Sequence, residues 1–158
     1  MNGISTSAFR QFSSLAGGGA GYEQAELPLP AIDPHPENRP IDREKVERLA
    51  ETVERDGLGQ LPLVRAMPNG RYQMISGHHR LEAFKLLLDR TGDARWRSIP
   101  VNVVAGCDDE RALCLLHMTN LVAPDLSKEE IGRAYEAIAA MVVREREADP
   151  ERFAGVQR

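Results

Sequence analysis

Cysteine, aromatic side chains and long apolar runs are all scarce in this 158-residue sequence. Its two cysteines, Cys107 and Cys114, form no Cys-x-x-Cys pair, which argues against a zinc cluster or a disulfide framework and favours free thiols. Charged residues interrupt the apolar runs before they reach the ~20 residues of a membrane span, and the N-terminus lacks the segments of a signal peptide. These absences predict a cytoplasmic protein that does not cross a membrane.

Excess positive charge is missing as well. The sequence has 20 Lys and Arg against 24 Asp and Glu, a formal net charge of −4. Nonspecific nucleic-acid binding by the whole chain is therefore disfavoured, because that activity depends on neutralising phosphates with surplus basic residues. With 42% hydrophobic residues, the chain is long enough for one globular domain with tails and too short for two domains of ordinary size.

The first half of the chain predicts a tail, a helix and a β-hairpin. Residues 1–24 are rich in Ser, Gly and Ala, and we expect them to form a flexible tail. Residues 26–32 predict a short edge strand that two prolines interrupt. Apolar spacing predicts a helix over residues 42–55 with Asp42 as its N-cap, and "LPLVRAM" and "RYQMIS" predict the strands of a hairpin.

The second half alternates helix and strand signals. It predicts a helix from His78 to about Asp89, a strand over "SIPVNVV", a helix capped by Asp108, and a long helix that starts with a Ser127 and Glu130 capping box. This mixed order predicts a compact α/β or α+β domain over residues 25–125, with a small mixed sheet and flanking helices. Residues 126–158 are predicted to form a helical extension.

The most informative stretch is "YQMISGHHRLEAFKLL", where a predicted strand passes directly into a helix. Such a junction presents free backbone N–H groups and the positive end of the helix dipole at one point, which attracts anions. Gly77 would let a ligand approach the backbone, and Ser76, His78, His79 and Arg80 would add donors for phosphate oxygens. The same residues are also compatible with simple helix capping, so both interpretations stay open at this point.

Metal binding and nucleophilic catalysis lack a comparable signal. His78 and His79 are neighbours on a predicted helix and point about 100° apart, so they do not converge on one ion. The other histidines, His35 and His117, complete no metal-binding spacing. We therefore predict no metal site made by the protein alone, and the sequence assigns no catalytic residue.

Three segments in order resemble the N-terminal domain of ParB-type partition proteins, of the ParB/sulfiredoxin fold. "DGLGQLPLVR" resembles the family's Gly-Leu-x-Gln-Pro segment, in which Gln60 and Arg65 fit and the proline is displaced to Pro62. "ISGHHRLEAFK" resembles the Gly-Glu-Arg-Arg-x-Arg-Ala motif that wraps the triphosphate of CTP, and it keeps Gly77 and Arg80. "TNLVAPDLSKEEIGRAY" resembles the Glu-Asn-x-Gln-Arg segment, of which Asn120 remains.

The departures from the family motifs affect the expected chemistry. His78 replaces the family's glutamate, His79 its first arginine and Glu82 its last arginine. Thr119 stands where a metal-holding glutamate is expected, which argues against nucleotide hydrolysis. Sulfiredoxin chemistry is excluded because His78 occupies the place of its catalytic cysteine.

The resemblance implies a CTP-responsive, DNA-binding partition protein, with a plasmid, phage or conjugative element as its origin. It implies a nucleoside triphosphate with Mg²⁺ as ligand and a homodimer as the assembly. The expected nucleotide contacts are Gln60, Arg65, Ser76, Gly77, His78, His79, Arg80 and Asn120. Arg39 matches a family loop that faces DNA or partner subunits, and most DNA contacts are expected from a helix-turn-helix domain beyond residue 158.

Two other functions remain open on the sequence. The first is an enzyme of the same fold, either a ParB-like nuclease or a small-molecule kinase, and a carboxylate close to Gly77 would favour it. Glu82, Asp33 and Glu37 are the candidates for that carboxylate. The second is a non-catalytic interaction domain that has lost its phosphate site, which an absence of nucleotide binding would favour.

Overall fold

A mixed five-stranded sheet and four α-helices make up residues 22–121 and 127–151, the parts of the chain that the computed structural model describes. The strands are β1 (Tyr22–Pro28), β2 (Ile32–Asp33), β3 (Leu63–Ala66), β4 (Tyr72–Ser76) and β5 (Ser98–Val104). The helices are α1 (Arg43–Asp56), α2 (His78–Thr91), α3 (Asp109–Asn120) and α4 (Lys128–Ala148). The predicted α+β class is confirmed. No helix of the described residues is long and apolar enough to cross a membrane.

The strand order places the end of β4 inside the sheet. The order is β1-β5-β3-β4-β2, with β1 antiparallel to β5, β3 antiparallel to β4, and parallel pairing of β3 with β5 and of β2 with β4. The predicted hairpin therefore exists as β3 and β4. The parallel neighbours β3 and β5 need a crossover connection. The chain makes it through β4 and then α2 before it returns as β5.

The first strand begins earlier than predicted. β1 starts at Tyr22 and pairs along its whole length with β5, from Tyr22 opposite Val104 to Pro28 opposite Ser98. The predicted tail over residues 1–24 is therefore wrong for residues 22–24, and residues 1–21 lie outside the described part. Pairing with a distant strand fixes β1, and the Gly- and Ser-rich composition upstream carries no signal of that pairing.

The core of the sheet unit lies between the sheet and the helices α1 and α2. In β5, Ile99 and Val101 are fully buried and their neighbours in the strand are less buried. This alternation is expected of a strand that packs one face against a core. The indole of Trp96 packs edge-on against Phe84 of α2, with ring centroids 5.2 Å apart. The other buried members of this core are Leu27, Leu29, Ile32, Val46, Ala50, Val53, Val64, Met74, Leu81, Ala83 and Leu87.

Helices α3 and α4 form a second compact unit. The division between the units lies between Cys107 and Asp108, so α3 groups with α4, and the predicted domain over residues 25–125 stays a prediction. The reason is a small core of its own, in which Cys114 is buried with Met141 and packs against Met118 and Ile138. Both predicted caps are confirmed, because Asp108 accepts the N–H of Arg111 and Ser127 forms a complete capping box with Glu130.

Candidate functional site

Gly77 joins β4 to α2 in a conformation that other residues rarely adopt. Its φ of 102° lies in the left-handed region, and a Cβ added there would stand 2.8 Å from the Cβ of Pro62. Pro62 is itself held in place, because its carbonyl accepts the backbone N–H of Asn102 at 2.8 Å. The backbone thus turns tightly against a fixed proline, and only glycine satisfies both conditions.

Helix α2 begins without a side-chain cap. Gly77 is its N-cap, no side chain makes a capping hydrogen bond at this end, and the first turn contains no acidic residue. Gly77 therefore starts the helix through its backbone alone, and Ser76 makes no side-chain cap. The other three α-helices of the described residues are capped by Asp42, Asp108 and Ser127. The N–H groups and positive dipole end of α2 are consequently left for an external anion.

Arg80 and Gln60 meet beside this uncapped turn. Nη2 of Arg80 donates a hydrogen bond to Oε1 of Gln60 at 3.1 Å. Burial lowers the pKa of the Arg80 guanidinium, and the charge remains because an arginine stays protonated in proteins. The structure thus brings together two of the residues predicted from different motifs, one in the loop before β3 and one in the first turn of α2.

His78 and His79 have a role that the sequence did not predict. Nε2 of His78 accepts the backbone N–H of His35 at 3.0 Å, and Nε2 of His79 accepts the backbone N–H of Asp42 at 3.1 Å. Both were predicted to donate hydrogen bonds to phosphate, whereas the nitrogen seen in use on each ring is an acceptor. Acceptance at Nε2 places the remaining proton of the neutral ring on Nδ1.

The surroundings of both rings favour the neutral form. Burial, followed by the charges of His35 and His79, lowers the pKa of His78 to about 4. Burial also lowers the pKa of His79, and the positive charge of Lys45 lowers it further, whereas the carboxylate of Asp42 raises it. Both imidazoles are therefore neutral near pH 7 and able to accept the two loop N–H groups.

Arg65 is held within the sheet. It is buried, and its guanidinium donates to Oε1 of Gln73 at 2.7 and 2.9 Å and to the carbonyl oxygen of Cys107 at 3.1 Å. These bonds tie β3 to β4 and to the segment after β5. The predicted contact of Arg65 with the nucleotide stays a prediction.

Two further predicted residues lie on other elements. Asn120 is the last residue of α3, in the compact unit that does not include Gly77. Arg39 lies half-buried in the loop between β2 and α1, where its carbonyl accepts the side-chain amide of Asn38 at 2.9 Å. Their contacts with nucleotide, DNA or a partner stay predictions.

The carboxylates that would favour an enzyme are mostly engaged by cations. Asp33 is paired with Arg71 through two oxygens at 2.7 Å, and the hydrogen bond from Arg71 lowers the pKa of Asp33. Glu82 contacts Lys85 at 2.9 Å and Arg43 at 3.6 Å. Within the part of the chain that the structure describes, no group of three or more His, Cys, Asp or Glu side chains could hold a metal ion.

Two residues of this site, Pro62 and His35, were not predicted to belong to it. Pro62 was recognised only as a displaced motif proline, yet its contact with Gly77 fixes the turn. His35 adds to the loop through Nδ1, which accepts the N–H of Glu37 at 3.1 Å. Its only local signal is a single histidine between Pro34 and Pro36, and that signal does not identify its partner.

A helix that starts on a glycine beside a half-buried arginine, at the end of an inner strand of a mixed sheet, gives this α+β domain a turn suited to binding an anion. Residues 19–121 match the family model described as the ParB N-terminal domain. The chain therefore belongs to the ParB N-terminal domain family, of the ParB/sulfiredoxin fold.

Individual relatives support the same fold. The chain is 33% identical over 125 residues to the chromosome-partitioning protein Spo0J of Thermus thermophilus, and the match covers 78% of this chain and 42% of that protein. It is similar to the Caulobacter crescentus ParB crystal structure with CTP-gamma-S, with TM-score 0.52, 21% identity, and coverage of 82% of this chain and 90% of that one. The ParB structure from the same organism complexed to the centromeric parS site gives TM-score 0.54, 24% identity, and coverage of 84% and 73%.

Proposed function

We propose that this chain is the nucleotide-responsive portion of a DNA-partition protein and that it binds CTP through its phosphates at the first turn of α2. The observation that carries the proposal is the uncapped start of α2 at Gly77, with Arg80 beside it. A similar fold has been solved with CTP-gamma-S, which makes CTP the first nucleotide to test.

The residues at the turn fit a polyphosphate. The missing Cβ of Gly77 leaves the backbone N–H groups of the first turn accessible, and the absence of an acidic residue there avoids repulsion of an anion. Arg80 would supply a charged donor, and Gln60 would orient it through the 3.1 Å hydrogen bond. Ser76, the last residue of β4, would contribute a hydroxyl from the other side of the turn.

In this proposal, His78 and His79 support the site and do not bind the phosphates directly. Because their Nε2 atoms receive backbone N–H groups of the 35–42 loop, they would shape the wall of the site more than they would hold phosphate. A bound Mg²⁺ would neutralise phosphate charge. The described residues suggest no protein carboxylate for it, so the ion would be held mainly by the nucleotide and by water.

Nucleotide occupancy would act as a switch for DNA binding. A ligand shifts a conformational equilibrium only when it binds one state more tightly than the other. We propose that CTP favours a state in which two copies pair around DNA, with Arg39 as a contact. The DNA would be a chromosome, or a plasmid, phage or conjugative element as the "SGHHR" variant suggests, and the protein would act in the cytoplasm.

Calorimetric titration tests the nucleotide step. CTP, ATP and GTP with Mg²⁺ are titrated into the protein, and we expect CTP to bind with the highest affinity. Arg80→Ala should weaken CTP binding at least tenfold, which corresponds to about 1.4 kcal/mol. The matched control is Arg90→Ala, because Arg90 lies at the other end of α2 and is exposed in a pair with Glu47.

Two results would count against the proposal. Equal loss of CTP affinity in Arg80→Ala and Arg90→Ala would mean that the first turn of α2 is not the phosphate site. No binding of any nucleotide would favour the alternative of a non-catalytic interaction domain, in which the turn at Gly77 serves only the fold.

A further inference from the structure

The loop between β2 and α1 is attached at both ends to the first turn of α2. At its start, the N–H of His35 donates to Nε2 of His78 at 3.0 Å. At its end, the N–H of Asp42 donates to Nε2 of His79 at 3.1 Å. Both attachments depend on a ring nitrogen that accepts a hydrogen bond, and a protonated imidazole has no such nitrogen.

The attachment at Asp42 completes the cap of α1 from another helix. In a capping box, the third helical residue is Glu or Gln, and its side chain accepts the N–H of the N-cap residue. Helix α4 follows this rule through Ser127 and Glu130. In α1 the third residue is Lys45, which cannot accept, and Nε2 of His79 takes the N–H of Asp42 instead.

We propose that His79 and His78 are proton-sensitive positioning residues, which fasten the His35–Asp42 loop to α2 when neutral and release it, from the Asp42 end first, when protonated. The loop carries Arg39, so its release changes the position of a charged side chain at the start of α1. This release requires no bound nucleotide.

The order of release follows from the groups that face each ring. His78 is buried and faces the other histidines His35 and His79, which oppose its protonation. His79 is half-buried, and although Lys45 and Arg39 oppose its protonation, the carboxylates of Asp42 and Glu82 favour it. His79 therefore takes up a proton at a higher pH than His78, and the Asp42 attachment is lost first.

Amide hydrogen exchange measured by NMR tests the proposal between pH 7.5 and 5. The protection of the Asp42 N–H, corrected for the intrinsic pH dependence of exchange, should fall by up to about tenfold for each pH unit below the pKa of His79. The midpoint of this loss should coincide with the titration of the His79 ring in the same sample. The N–H of Asn102, bonded to Pro62 in the sheet unit, serves as the internal control and should keep its protection.

His79→Gln is the decisive variant, because a glutamine oxygen can accept the same N–H and does not titrate. Its Asp42 protection should be independent of pH, whereas His79→Phe should lose that protection at every pH. Constant Asp42 protection in the unmodified protein would overturn the proposal. So would an equal fall at Asn102, which would indicate general unfolding, or a midpoint that does not follow the His79 ring.

Discussion

At the scale of single residues, Gly77 is constrained more strongly than its position in a turn requires. Its backbone lies at φ 102°, and the nearest atom that a side chain would meet belongs to Pro62, at 2.8 Å. A Cβ at this position would therefore be disfavoured twice, by the left-handed backbone and by the contact with Pro62. The backbone strain and the steric contact each have their own energetic cost. Gly92, at the other end of the same helix, has the left-handed conformation without the contact, so comparison of the two glycines separates the costs.

Gly77→Ala should lower the free energy of unfolding by about 2 to 5 kcal/mol, from backbone strain together with overpacking. Gly92→Ala is the matched control, because Gly92 ends the same helix at φ 65° with nothing within 4 Å of an added Cβ. That change should lower it by only about 1 to 2 kcal/mol. Urea unfolding of both variants checks the difference, and equal losses would contradict the role of Pro62.

Acid should destabilise the fold through His78. Above pH 6.5 the ring is neutral in both folded and unfolded chains, so its contribution is fully present. Between pH 6.5 and about 4 the unfolded chain binds the proton first, so stability falls with falling pH, by up to ~3 kcal/mol. Urea midpoints at pH 7.5, 5.5 and 4.5 should show a smaller pH dependence in His78→Gln than in the unmodified protein. An identical dependence in both would refute this assignment.

At the scale of elements, the β3–β4 hairpin is fastened by a buried cation. Arg65 bonds to Gln73 across the hairpin and to the carbonyl of Cys107. Removal of a buried charged donor leaves its acceptors unsatisfied, which costs about 1 to 3 kcal/mol. The hairpin therefore depends on a side chain that the family resemblance assigned to ligand binding.

Arg65→Met should lower the free energy of unfolding by about 2 kcal/mol. Arg90→Ala, which removes an exposed ion pair with Glu47, should lower it by less than about 1 kcal/mol. Chemical denaturation of the two variants measures both values. Unchanged stability in Arg65→Met, accompanied by loss of CTP binding, would instead support the predicted ligand contact.

The elements differ in how far local sequence determines them. Asp42, Asp108 and Ser127 cap their helices as predicted, because a cap is a contact between residues three apart in the chain. The turn at Gly77 was also recognisable, since its glycine stands at the strand-to-helix junction. By contrast, the bond between Asp42 and His79 joins residues 37 apart, and no periodicity or propensity indicates such a partner.

At the scale of the whole molecule, the described residues form two compact units with separate cores, one containing the sheet and one containing α3 and α4. The sequence predicted the elements of both units, but not the burial of Cys114 against Met141, because that is a tertiary contact between residues distant in the chain. The chain spans 42% of the length of its Thermus relative, so partition by the full protein is a proposal beyond the fold.

The central claim is that nucleotide phosphates bind at the first turn of α2. Titration of CTP with Mg²⁺, followed by amide NMR, tests it most directly. We expect the largest shifts at the N–H groups of residues 77–80, and little change at the N–H of Gly92, at the far end of the same helix. Large shifts elsewhere with residues 77–80 unaffected would contradict it.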